Sequence, residues 1–178
     1  MDTAAKQLAD TIAPLADDTK AVNDAITTVN TDLGQQRAAL KKVQQESAAV
    51  SKAAKTTEPG DSDNCYAAST AAYDASDLDY QGQTVSGDLS TYAATSLQTD
   101  LDNLDAAQEA MLSAQNAAPD YSTTTEVPTD TDINTARAAA TKALSSWSTI
   151  TTSAPTTAAD LTKQATDAAA SASAKAGC

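Results

Sequence analysis

The residues able to do chemistry are few and unevenly placed. Two cysteines, Cys65 and Cys178, lie far apart in the chain, Tyr66, Tyr73 and Tyr80 form a sevenfold row, and histidine is absent. Without histidine the commonest general base, the commonest zinc ligand and every Ser-His or Cys-His nucleophilic pair are missing. The five glycines are scattered, so neither a phosphate-cradling loop nor a nucleophile elbow occurs, and there is no CxxC. Carboxylate-pair chemistry is the remaining catalytic route, but the acids read as a solvated helical face: Asp100, Asp102 and Asp105 flank Leu101 and Leu104. No enzymatic activity, cofactor or metal is expected.

The nearest approach to a metal site is "DSDNC", where Asp61, Asp63 and Asn64 offer hard oxygen ligands in a turn suited to calcium. An EF-hand loop would continue with an acidic residue, a glycine and a distal glutamate, and Cys65 with Tyr66 breaks that order. A solvated acidic turn is the expected reading. Tyr66, Tyr73 and Tyr80 share one helix face by their spacing. They could form a recognition strip for a carbohydrate or protein, since a phenol ring combines apolar area with a hydroxyl. The reading preferred from sequence is that they replace the missing phenylalanine as core anchors at one end of a bundle.

Composition alone argues against any fold. The chain has 41 alanines but only 22 Ile, Leu and Val, with no Phe, and a net charge of −13, which places it among sequences where disorder is the default. Periodicity overrules this, because alanine is the best helix former and small side chains let helices approach closely. The charge is also segregated: residues 59–130 carry thirteen acidic residues and no basic one. Such a field makes nucleic acid and anionic membrane surfaces poor partners. No run of eighteen apolar residues occurs, so no membrane insertion of this segment is expected. "MDTAAKQLAD" lacks the basic and apolar regions of a signal peptide, so an exported chain of this kind would be a mature or excised piece.

The elements that must position these residues are helices. All ten Ile, Leu and Val residues before residue 58 fit one heptad register, with Ile12, Ile26, Leu33 and Leu40 at a and Leu8, Leu15, Val22, Val29, Val43 and Val50 at d. Thr19, Ser47 and Ala54 complete the a row and Gln36 the d row, giving a helix of about 70 Å with a narrow seam. Pro14 either marks its first turn, capped by Asp10 or Thr11, or kinks it. "TTEPGDSDN" stops this helix. The next segment carries the rows Leu78, Val85, Tyr92 and Leu97, Leu101, Leu104, Gln108, Met111, which do not join cleanly, so a break is expected between about 81 and 96. "PDYSTTTEVPTDTD" is a linker ending in a cap from Asp130 or Thr131. A third seam runs from Ile133 through Trp147, expected in the core, to Leu161.

The expected fold is all-α: an elongated antiparallel bundle of three long segments, 8–57, 65–118 and 131–176, joined by linkers 58–64 and 119–130 in one domain, with the second and third kinked or broken. If Pro155 is a turn, the chain instead makes four helices and Cys178 ends far from Cys65. The near-equal lengths and the register across Pro155 favour three segments, which bring Cys178 beside Cys65. A disulfide there would close a loop of more than 110 residues and add about 4–5 kcal/mol.

Together these features point to a non-enzymatic helical bundle, a structural spacer or protein interaction module engaging a protein partner or a second copy. Two pairable cysteines place it outside the cytoplasm, as a secreted or cell-surface domain. Two alternatives share the composition: a sensory, ligand-binding bundle of a membrane receptor, and a helical secretion substrate or virion component.

Overall fold

The computed structural model describes residues 1–89, 93–120 and 122–178. Among these the chain is helical: α1 spans Asp2–Ala53, α2 Ser62–Asp88, α3 Ala93–Ala117 and α4 Asp130–Ala176, with no strand. The three expected segments are therefore α1, α2 with α3, and α4. The break in the second segment falls between Asp88 and Ala93, inside the expected window. Leu78 and Val85 of the predicted row are fully buried, and Tyr92 lies outside the described residues.

The heptad seam is the organising surface of α1. Eight of its ten aliphatic residues are buried, Ile12 and Ile26 are half-buried, and the polar seam positions Gln36 and Ser47 are buried with them. Both ends of α1 differ from expectation. The helix starts at Asp2, so Pro14 stands well inside it and neither Asp10 nor Thr11 is a cap. It ends at Ala53, four residues earlier than predicted, and Thr56 and Thr57 close the terminus by donating their hydroxyls to Ala53 O.

Pro155 lies inside α4, so the four-helix alternative with a turn there is not adopted. A proline in a helix interior costs about 3 kcal/mol. Ala154 and Ala158 on either side of it are buried against the rest of the fold, and that packing offsets the local cost. The cap of α4 is also one residue earlier than predicted. Thr129 Oγ1 accepts from the Asp132 amide at 3.2 Å while Asp132 Oδ2 accepts from the Thr129 amide at 3.1 Å, a reciprocal capping box. The Thr129 hydroxyl, donating to Asp132 Oδ2 at 2.6 Å, and after it the Thr129 amide hold the Asp132 carboxyl below its ordinary pKa.

Packing divides the chain into two compact units. In the first, α1 as far as Ile26 joins α3 and α4 as far as Ile150. Leu15, Val22, Leu97, Leu104, Ile133 and Trp147 are its larger buried side chains. Arg137 of α4 ties two α3 residues by pairing with Asp105 and donating to Gln108 Oε1. In the second unit, α1 from Thr27 joins α2 and α4 from Thr151. Its core is built from Leu40, Val43, Leu78 and Leu161 with Ala71, Ala75, Ala165 and Ala169, and continues as Val50, Ala68, Ala172 and Ala176. Here α1 supplies most of the large side chains, and α2 and α4 supply mostly alanine. A chain so poor in large hydrophobics can close a core this way because backbones separated only by methyl groups approach closely.

Candidate interaction surface

In the second unit the chain closes on itself covalently. Cys65 and Cys178 form a disulfide with Cα atoms 5.6 Å apart, 113 residues apart in sequence. Two turns of backbone make this geometry. Asp61 caps α2, its Oδ1 accepting from the Asn64 amide at 3.1 Å, and buried Asn64 donates back to Thr57 Oγ1 at 2.6 Å. The turn that sequence alone could offer to calcium thus fixes the start of the helix that carries Cys65. At the other terminus Gly177, at φ +78°, ends α4 with Gly177 N donating to Ala174 O and Cys178 N to Ser173 O. These are the two bonds of a Schellman motif, and they turn Cys178 back towards α2. Among the described residues no group of three His, Cys, Asp or Glu side chains is arranged to hold a metal ion.

Tyr66, Tyr73 and Tyr80 are not core anchors. Their exposures are 78%, 69% and 73%, and among the described residues they are three of the four large hydrophobics that stand exposed, the fourth being Leu112. The reason is phase. The inward row of α2 is Asn64, Ala68, Ala71, Ala75, Leu78 and Val85, all buried. Each tyrosine follows a member of that row by two residues, a rotation of about 200° around a helix, so the rings point away from the core. Sequence held the deciding signal: Leu78 and Val85, extended backwards by sevens, reach Ala71 and Asn64, and two rows so far out of phase cannot both face inward.

The strip is a clean apolar and hydroxyl surface in an anionic setting. Hydroxyls of Thr70, Ser76 and Thr84 beside the rings are turned onto the backbone oxygens of Tyr66, Tyr73 and Tyr80. Asp63 and Asp77 flank the rings on the same side of the helix and are exposed, as is Asp79. Where α2 meets α1, Lys42 Nζ bridges Asp74 at 2.7 Å and Glu46 at 3.7 Å. Burial, and then the Asp74 carboxyl beside it, push Glu46 above its usual value, whereas the bond from Lys42 holds Asp74 below. Asp32 is likewise pushed up, by burial first and by Asp88 second.

No protein-family model matches the chain, and comparison with characterised proteins and with solved structures gives no significant match. Among the described residues no helix is long and apolar enough to cross a membrane.

Proposed function

We propose that the chain is a non-enzymatic interaction module of an extracytoplasmic compartment, which presents the tyrosine face of α2 to a protein. The observation that carries this reading is the alignment of Tyr66, Tyr73 and Tyr80 in one exposed row on a helix whose other face is packed. Exposed hydrophobics scattered singly mean little, whereas a contiguous row has a use. Tyrosine supplies large contact area at low entropic cost and is enriched where proteins meet. The missing catalytic inventory supports a binding rather than a chemical role, and a disulfide between Cys65 and Cys178 supports an oxidising compartment.

A variant with all three tyrosines changed to serine tests this. Its thermal midpoint should stay close to wild type, because the rings are exposed, while a cross-linked partner recovered with wild type from the native source should be lost. Equal recovery with both proteins would overturn the role of the strip. Alkylation of both thiols in protein taken directly from its source would overturn the compartment.

A further inference from the structure

A second surface of the same unit has the complementary character. Between α1 and α4 lies a groove of about 410 Å³ whose rim carries Lys52, Lys55 and Lys175 and whose walls are small residues such as Ser51 and Ser171. Ser47 lines it too: it is only 6% exposed, and its Oγ has no hydrogen-bond partner in the protein. That oxygen is itself enclosed, so the polar groups the groove presents to a partner are the lysine ammoniums of its rim. No carboxylate lines it.

We propose that this groove receives the α2 tyrosine strip of a second copy of the chain, so that the protein self-associates head to tail. The inference rests on the tyrosine face being an interaction surface and names its partner. Three features argue for it. The charges complement: Asp63 and Asp77 flank the rings on one copy, and three lysines rim the groove on the other. The dimensions agree, since Tyr66 and Tyr73 are about 10 Å apart along α2, and the groove runs from Ser47 about 9 Å to the end of α1 at Ala53 and on to Lys55 in the turn beyond. The chemistry fits, because a phenol offers its ring face to a lysine ammonium at the rim. The outer face of α2 and the groove between α1 and α4 point in different directions, so they cannot meet within one copy. A contact between unlike surfaces does not close in a two-fold pair, and repetition yields open chains. With two rings seated in the groove and contributing about 150 Å² each, the contact is small, so the association is weak and reversible.

Sedimentation velocity over a concentration series decides it, using wild type, the triple Tyr→Ser variant and a Lys52→Glu, Lys55→Glu, Lys175→Glu variant, each shown folded by circular dichroism. Wild type should form species beyond the dimer as concentration rises, and about ten-fold higher salt should weaken them several-fold. Each variant alone should remain monomeric, while an equimolar mixture of the two should form dimers and stop there, because only one intact strip and one intact groove remain. A lysine variant that still dimerises would show a strip-to-strip contact and overturn the proposal. A wild type that is monomeric throughout would also overturn it. If the tyrosine variant then still loses a cross-linked partner from the native source, the interaction face stands with a different occupant; if it loses none, both readings fail.

Discussion

Gly60 and Gly177 face each other so closely that a β-carbon on Gly177 would stand 2.9 Å from Gly60 N and 3.0 Å from Pro59 Cβ. The Gly60 amide donates to Ala176 O at 2.7 Å, so the loop after α1 is pinned to the end of α4 two residues before Cys178. Both glycines have positive φ, +80° and +78°, which other residues adopt only with strain. Gly177→Ala should therefore cost about 2 kcal/mol or more, from strain and from a collision with backbone that has no freedom to yield. Gly34→Ala is the control: nothing lies within 4 Å of its β-carbon position in the middle of α1, and a gain of about 1 kcal/mol is expected there. Urea unfolding of the two variants checks both signs.

Removing the covalent link acts on the unfolded chain. The 113-residue separation of Cys65 and Cys178 implies that a Cys65→Ser, Cys178→Ser variant loses about 4 kcal/mol relative to the oxidised protein. Its unfolded state should also be more open, so the urea m-value should rise. A loss below about 1 kcal/mol would show that the hydrogen bonds around Gly60 and Gly177 close this end without the sulfurs.

The parts of the fold set by long-range pattern were legible in the sequence, and the parts set by competition between neighbouring residues were not. The α1 seam could be read because ten aliphatic residues in a narrow stripe leave one solution, and Gln36 and Ser47 followed as seam positions despite their polarity. The disulfide followed from three segments of similar length. At Pro14 the local rule offers a first turn that the helix does not have there, whereas at Pro155 the register running across it outweighs the local rule; buried Leu15 and Ala154 beside them hold each helix together through tertiary contacts. The cap of α4 passed from Asp130 or Thr131 to Thr129 because only Thr129 has a carboxylate three residues on to return its hydrogen bond. A hydrophobic count places the tyrosine row in the core, because aromatic residues outweigh alanines in it. In a chain whose α2 core is mostly alanine, that weighting inverts.

Gln36 makes a polar crossing in the core of the second unit. Its Nε2 lies 3.0 Å from Leu78 O, 3.1 Å from Ala158 O and 3.2 Å from Thr162 Oγ1, whereas its Oε1 is buried without a partner. The two carbonyls lie inside helices, where the ordinary i to i−4 bonds already use them, so losing the amide orphans neither. Gln36→Leu should then stay within about 1 kcal/mol of wild type, and Gln36→Ala should lose about 2 kcal/mol through the cavity it leaves. Gly82 gives a sharper test, since a β-carbon there would meet Nε2 at 3.2 Å. Gly82→Ala should destabilise wild type yet stabilise the Gln36→Ala variant, and a double-mutant cycle that is additive would contradict this coupling.

Acidification to about pH 5 should stabilise the protein rather than unfold it. Asp32, Glu46 and Asp100 are each pushed above their ordinary values, by burial first and by the neighbouring carboxyls of Asp88, Asp74 and Asp18 second. A carboxyl with a folded pKa above its unfolded one holds its proton more tightly in the fold. Its ionisation therefore penalises the fold at neutral pH, and the penalty shrinks as pH falls through the raised pKa and vanishes below the ordinary value, 3.8 for Asp and 4.5 for Glu. Asp74 and Asp132 act in the opposite sense: their contributions are complete above 3.8 and are lost only as pH falls through their lowered values. The excess negative charge, −13 at pH 7, also diminishes on acidification and relieves self-repulsion. The thermal midpoint should rise between pH 7.5 and about pH 5 and turn over below about pH 4. Asp100→Asn separates the half-buried carboxyls from the general charge effect. It should raise the midpoint at pH 7.5 by about 2 °C and reduce the gain on acidification, whereas Asp102→Asn, removing an equal charge from an exposed position on the same helix, should change both much less. Equal effects from the two variants would assign the whole pH response to net charge.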